Sequence, residues 1–141
     1  TRVTDVGTGP GRLALQVAEA FPDVRVEGVD LSAEMVAHAQ RTAAQRRFAS
    51  TRVVFRQADV TALPYADSSV EVIVSTASLH HWPDIPAGIS EIGRALTPGG
   101  HALVYDPMFS IRLAAAAAAD LGLRTSIQPL TMGIARLTVR R

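Results

Sequence analysis

Three glycines spaced by one residue form the stretch of this sequence with the clearest chemical content. Gly7, Gly9 and Gly11 stand where an apolar strand-like run ends and a helical pattern begins. Glycine tolerates positive φ and lets a ligand lie against the backbone, and the free N–H groups of a helix start attract polar ligand groups. The spacing therefore predicts a ligand-binding loop, although one glycine-rich turn is also typical of a tight connection.

Two aspartates follow the next two predicted strands. Asp30 ends the second strand, where a carboxylate can accept hydrogen bonds from both hydroxyls of a ribose. Asp59 comes just after the third strand, beside the same crevice, where it can accept a hydrogen bond from a purine amino group. The alternatives are a helix-start aspartate and a solvated loop aspartate. Together with the glycine loop, the two acids predict a nucleoside-sized crevice at the carboxyl ends of the strands.

The segment after the fourth predicted strand contains His80, His81 and Trp82 and is expected to face that crevice. An imidazole titrates near neutral pH, so either histidine can deprotonate an acceptor hydroxyl. His80 and His81 are therefore the candidate catalytic residues, and a structural histidine that caps the next helix is the alternative. Trp82 is open to interpretation as a core contact or a lid contact.

The elements that must position these residues follow from alternating β-branched runs and helical patterns. Pro129 has no N–H donor, which predicts that its strand lies at a sheet edge. The first helix is predicted to bury Ala14, Val17, Ala18 and Phe21, and the alanine run at 114–119 is interpreted as helical. Strands are predicted at about 3–6, 24–29, 53–57, 70–75, 102–105, 126–130 and 134–140, the last two as an antiparallel hairpin, with a further helix at about 85–96.

Composition limits the function. The 141 residues suffice for one domain, and the net charge of +1, with scattered basic residues, does not indicate nucleic-acid binding. All 14 basic residues are arginine, which excludes a lysine Schiff base and a P-loop lysine, and the absence of cysteine excludes thiolate catalysis and cysteine-ligated zinc. No metal is expected. No apolar run approaches the length of a membrane span, so a cytoplasmic location is the expectation.

The sequence resembles class I S-adenosylmethionine-dependent methyltransferases, especially the small-molecule group that includes the ubiquinone and menaquinone biosynthesis enzymes. The resemblance covers most of the chain, and the order and spacing of its motifs together are specific. These motifs are Asp5-Val6-Gly7-Thr8-Gly9-Pro10-Gly11, Val29-Asp30-Leu31-Ser32, Ala62-Leu63-Pro64-Tyr65-Ala66-Asp67, Leu79-His80-His81-Trp82 and Arg94-Ala95-Leu96-Thr97-Pro98-Gly99-Gly100.

The resemblance implies a Rossmann-like three-layer α/β/α sandwich with a mostly parallel seven-stranded sheet, order 3-2-1-4-5-7-6, and a C-terminal antiparallel hairpin. It implies S-adenosylmethionine as cofactor, S-adenosylhomocysteine as product and a small-molecule acceptor. It also implies one domain over 1–141 without the family's N-terminal helical segment, because the chain starts almost on its first strand. The cofactor-binding residues implied by the resemblance are Asp5, Gly7, Thr8, Gly9, Gly11, Asp30, Leu31, Asp59, Val60 and Ser75.

Two other interpretations remain at this stage. A nicotinamide-dependent oxidoreductase shares the fold, but its fingerprint places the last glycine at the position held here by Arg12. A non-catalytic module that binds a cofactor or a partner is compatible with a missing N-terminal segment. The sequence does not indicate the methyl acceptor or the oligomeric state.

Overall fold

Seven short runs rich in β-branched residues form one sheet in the computed structural model, which describes residues 1–141. Four α-helices connect them, and the alternation of strand and helix is the one predicted. The strands are β1 Arg2–Val6, β2 Arg25–Asp30, β3 Val53–Gln57, β4 Val70–Thr76, β5 Leu96–Pro107, β6 Arg124–Pro129 and β7 Ile134–Arg140; the helices are α1 Arg12–Ala20, α2 Ala33–Gln45, α3 Ile85–Ala95 and α4 Met108–Asp120.

The strand order is β3-β2-β1-β4-β5-β7-β6, as predicted. The first five strands run parallel, so their carboxyl ends meet along one edge of the sheet. β7 pairs antiparallel with β5, and β6 pairs antiparallel with β7. Pro129 therefore lies in an edge strand, as its missing N–H predicted.

Different helices cover the two faces of the sheet: α1 and α2 pack on one face, and α3 and α4 pack on the other. Val26 and Val29 lie three residues apart in β2 and so point to opposite faces. Val26 packs in a cluster with buried residues of α1 and α2, whereas Val29 packs in a larger cluster with buried residues of α3 and α4. This arrangement gives the three layers expected of the fold.

The helix interiors follow their predicted apolar faces with one correction. Ala14 and Ala18 of α1 are buried as predicted, and Val17 is only partly buried against the same cluster. Phe21 is 58% exposed because the helix ends at Ala20 and Phe21 is its C-terminal flanking residue. Leu15 is buried in α1 as well. The alanine run is helical, and α4 begins upstream of it at Met108. None of the four α-helices has the combination of length and apolar character that spanning a membrane requires.

A long loop replaces a helix between β3 and β4, and Arg94 of α3 holds it in place. The Arg94 guanidinium donates to the carbonyl oxygens of Tyr65 at 2.7 Å and Leu63 at 3.2 Å. It also pairs with Glu91, whose Oε2 accepts from the Leu63 N–H at 2.7 Å. These bonds lower the pKa of Glu91, and they fix Leu63 and Tyr65 as buried residues on the sheet.

Glu27 of β2 is a fully buried carboxylate within the sheet. Its oxygens lie 2.7 Å from Arg2 Nη2 and 3.2 Å from Arg25 Nη2. Burial and the negative charge of Glu27 raise the pKa of nearby Tyr65 to about 12. Loss of the Glu27 carboxylate or of its arginine partners would leave the opposite charge unpaired in this part of the sheet.

Candidate functional site

The glycine loop turns sharply from β1 into α1. Gly7, Gly9 and Gly11 have φ angles of 71°, 53° and 82°, which favour glycine at all three positions. The N–H groups of Gly7 and Thr8 donate to the carbonyl of Val29 at 2.9 and 3.0 Å, so the loop lies against the end of β2.

The glycines meet different surroundings. A Cβ on Gly7 would lie 1.9 Å from Ser78 Oγ, so a side chain has no room there. A Cβ on Gly9 would meet no atom within 4 Å, because this backbone borders open space. A Cβ on Gly11 would lie 2.8 Å from the Phe55 ring, so Gly11 serves close packing of α1 on the sheet. Gly9 is thus the glycine whose backbone a ligand can approach most freely.

Asp5 and Thr8 lie buried behind the loop. Thr8 Oγ1 donates to Asp5 Oδ2 at 2.7 Å, and Asp5 Oδ1 has no hydrogen-bond partner. Burial raises the pKa of Asp5 to about 6. Both residues are placed to order the loop from within.

Asp30 connects the glycine loop with the start of α2. Its Oδ2 accepts from the Gly9 N–H at 2.8 Å, and its Oδ1 accepts from the Ser32 N–H at 2.9 Å. Ser32 is the N-cap of α2, and its Oγ accepts from the Met35 N–H. The sequence anticipated Asp30 at the crevice but did not predict its bond to the glycine loop.

Asp59 is exposed two residues after the end of β3. Its Oδ1 accepts from both the backbone N–H and the hydroxyl of Thr61 at 2.8 Å, whereas its Oδ2 is engaged by no protein donor. The hydrogen bond from the Thr61 N–H is the main reason why the pKa of Asp59 lies below its usual value. One carboxylate oxygen therefore remains available to a ligand.

These elements surround a cavity of about 330 Å³ at the carboxyl edge of the sheet. Six of the predicted cofactor-binding residues line it: Gly7, Gly9, Asp30, Leu31, Asp59 and Val60. The predicted residues Asp5, Thr8, Gly11 and Ser75 do not line it. The lining also includes Ala77, Ser78, His81 and Trp82, which belong to the segment after β4 that was expected to face the crevice. The residues that sequence reasoning missed are Val6, Val29, Ala58 and Pro83.

Hydrogen bonds and packing hold the cavity wall that is formed by the segment after β4. Trp82 Nε1–H donates to Ser78 Oγ at 2.9 Å, and the Trp82 ring packs against Gly88, where a Cβ would lie 2.7 Å from it. Ala77 has φ 52°, a strained angle for a residue with a side chain, and its N–H donates to the Tyr105 carbonyl. Ser75 is fully buried behind this wall, and its Oγ has no partner.

The two candidate histidines occupy different positions. His81 lines the cavity, whereas His80 does not, although the centroids of their rings lie 3.9 Å apart. His80 Nδ1 lies 2.9 Å from Oδ1 of Asp106, a fully buried residue near the end of β5. No motif in the sequence pointed to Asp106; the only available signal was its place near a strand end at the carboxyl edge.

Comparison with known proteins agrees with this fold. A family described as a methyltransferase domain matches residues 3–100, and the chain belongs to this family. It is similar to the 27-O-demethylrifamycin SV methyltransferase of Amycolatopsis mediterranei, with 39% identity over 105 residues, which is 74% of this chain and 38% of that protein. It is also similar to the demethylmenaquinone methyltransferase of Thermus thermophilus, with 33% identity over 74% of this chain and 46% of the relative.

Solved structures share the whole architecture. A SAM-dependent methyltransferase of Aquifex aeolicus superposes with a TM-score of 0.86 at 18% identity, covering 98% of this chain and 80% of that one. At this identity the likeness establishes the fold. The chain spans less than half the length of the two curated relatives described above. The resemblance stated from the sequence motifs is confirmed.

Proposed function

We propose that this chain is the S-adenosylmethionine-binding domain of an enzyme that transfers a methyl group to a small-molecule acceptor by in-line displacement. The observation that carries the proposal is the convergence of Gly9, Asp30 and Asp59 from three successive strand ends on one cavity. We further propose that residues 1–141 act as a single domain, because both core clusters pack on the same sheet.

The residues around the cavity fit an adenosyl cofactor. Gly9 leaves open space against its backbone, which suits the methionine portion. Asp30 offers acceptor oxygens for ribose hydroxyls, and the free Oδ2 of Asp59 offers an acceptor for the adenine amino group. The Leu31 side chain is 63% exposed in the lining, as expected of an apolar surface for an adenine face. Asp5 and Thr8 would contribute by ordering the loop.

The protein's contribution to the reaction is mainly positioning. A bound sulfonium cofactor supplies an activated methyl group, so no acid is needed to release the neutral thioether. The fixed wall of Ser78 and Trp82 and the bonded Asp30 hold the cavity in one geometry. Such positioning can contribute on the order of 7–11 kcal/mol to lowering a reaction barrier. The relatives' names, which describe methylation of rifamycin and menaquinone precursors, support a small-molecule acceptor.

Calorimetric titration with S-adenosylmethionine, S-adenosylhomocysteine and NADH tests the proposal without knowledge of the acceptor. We expect heat of binding from the two adenosyl ligands and none from NADH. Binding of NADH alone would favour an oxidoreductase, and a folded chain that binds none of the three would refute the proposal for this chain. Asp59→Ala is expected to weaken binding of the adenosyl ligands, with the exposed Asp23→Ala as the matched control.

A further inference from the structure

The outer face of α4 is apolar along its length and carries one unpaired charge of each sign. Phe109 and Leu113 are 64% and 57% exposed, and Ala116 is exposed one turn further along the helix. Arg112 and Asp120 are exposed on the same face, because all these positions recur at intervals of three or four residues. Neither charge belongs to an ion pair within the chain. The face is therefore unpartnered in the single chain.

A groove of about 290 Å³ opens beside this face, and its lining suits an arginine side chain. Asp120 is the one charged residue of the lining, which consists of Pro86, Leu113, Ala116, Ala117, Asp120 and Leu121. Arginine combines an apolar stem with a planar charged head that pairs with carboxylates. Asp120 also lies in the last turn of α4, where the helix dipole disfavours a negative charge. A cation bound in the groove therefore relieves an unfavourable interaction.

We propose that a second copy of this chain docks on this face, with the two α4 helices antiparallel about a two-fold axis that passes beside Ala116. Arg112 and Asp120 lie four residues before and four residues after Ala116. A two-fold axis at Ala116 brings Arg112 of each copy opposite Asp120 of the other, since a two-fold interface uses the same surface twice. The arginine stem then lies along the groove of the other copy, and its guanidinium pairs with the Asp120 carboxylate.

The same axis matches large side chains with small ones. Leu113 and Ala119 lie three residues on either side of Ala116, so Leu113 of each copy faces Ala119 of the other. Ala116 meets its own copy at the axis, and its small side chain lets the two helices approach closely. Phe109 reaches the end of the facing helix near Leu121, which is 49% exposed. A parallel pair of helices would instead place each charge against its own copy, so the charges favour the antiparallel arrangement.

The docking face is separate from the cavity at the carboxyl edge of the sheet. No residue of α4 lines that cavity. Association of two copies therefore leaves the cavity accessible, and its test is independent of the proposed methyl transfer. One pair of helices makes a small interface, so we expect a weak and reversible dimer.

Sedimentation velocity from roughly 1 µM to 1 mM chain, the range of weak interfaces, tests the association. Arg112→Asp and Asp120→Arg should each weaken the dimer by about tenfold or more, because two attractive pairs become repulsive. An equimolar mixture of these two variants should associate as the unmodified chain does, because every facing pair again has opposite signs. The exposed Asp23→Arg is the control and should leave association unchanged. A chain that stays monomeric, or a mixture that associates no better than either variant alone, would overturn the inference.

Single cysteine substitutions locate the axis, because the chain has no cysteine of its own. Ala116→Cys should form an intermolecular disulfide on mild oxidation, since residues at the axis face their own copies within disulfide reach. Ala119→Cys is the matched control on the same face. Its two copies lie about 9 Å apart along the helices, which is beyond the reach of a disulfide. Equal cross-linking of the two variants, or none in Ala116→Cys, would overturn the proposed arrangement of the α4 helices.

Discussion

Two glycines of the same loop should respond differently to the same substitution. Gly7 and Gly9 both have positive φ, so alanine costs about 1–2 kcal/mol of backbone strain at either position. At Gly7 the new Cβ would also lie 1.9 Å from Ser78 Oγ and 2.5 Å from Ser78 Cβ, and rotation of the hydroxyl relieves only the first contact. Overpacking of this kind typically costs a further 1–3 kcal/mol. At Gly9 no atom lies within 4 Å of the new Cβ.

We therefore expect Gly7→Ala to lower the free energy of unfolding by about 2–5 kcal/mol and Gly9→Ala by about 1–2 kcal/mol. Urea unfolding followed by circular dichroism measures both. The smaller loss of stability does not spare ligand binding in Gly9→Ala. This variant stays folded but places a methyl group at the cavity, so it should weaken S-adenosylhomocysteine binding in calorimetry.

A second substitution tests whether the clash is the cause. Ser78→Gly removes both atoms that the new Cβ would meet, at the cost of the Trp82 hydrogen bond. In the double variant, the loss should be smaller than the sum of the two single losses by about 1–3 kcal/mol. The reasoning is refuted if Gly7→Ala is no more costly than Gly9→Ala, or if the two changes are additive.

Three further perturbations follow from the charged groups. Asp30→Ala should weaken S-adenosylhomocysteine binding by about 1.5–3 kcal/mol, the range for hydrogen bonds to a charged group, with Asp23→Ala as control. Burial raises the pKa of Asp5 to about 6, so the stability contributed by its protonated carboxyl is present below pH 4 and is lost by pH 7. Relative to Asp5→Asn, the free energy of unfolding of the unmodified chain should fall by roughly 3 kcal/mol across this interval in unfolding titrations. Glu27→Ala should cost about 1.5–3 kcal/mol in urea unfolding because it removes the buried carboxylate that accepts from the partly buried Arg2 guanidinium, whereas Glu19→Ala, in an exposed ion pair, should cost at most about 1 kcal/mol.

Each of these has an outcome that contradicts it. Unchanged affinity in Asp30→Ala would remove that carboxylate from the binding site. A stability difference between Asp5→Asn and the unmodified chain that does not vary with pH would mean that Asp5 titrates normally. Equal losses for Glu27→Ala and Glu19→Ala would show that Arg2 and Arg25 find water or other partners.

Local sequence patterns correctly predicted the elements whose bounds are set by the periodicity of their own residues. β3 and β7 have the predicted bounds, since each is a β-branched run between turn residues. The prediction for β5 was too short, since the strand runs from Leu96 to Pro107. Val70 of β4 pairs with Leu96 and Val72 pairs with His101, so residues 97–100 lie in an irregularity of this pairing. Gly99 keeps a positive φ of 81°, which suits a turn residue, whereas the pairing on either side of it is not visible from neighbours in sequence.

The candidate site likewise has a part that the sequence predicted and a part that it did not. The glycine loop, Asp30 and Asp59 could be predicted because each follows its own strand, and strand ends meet at one edge. The contact of Gly7 with Ser78 and that of Asp106 with His80 join residues far apart in the chain. Without the sheet order and the path of each loop, nothing in the residue types indicates these pairs.

The strand order also constrains the order of events during synthesis. β7 lies between β5 and β6 although it follows both in the chain, and β6 pairs with no strand other than β7. The parallel strands β1 to β4, which carry the glycine loop and both aspartates, pair only with strands that are made before β6. A nascent chain thus presents a complete binding half while one edge of β5 is still open, and β7, which is made after β6, protects that edge from pairing with other chains.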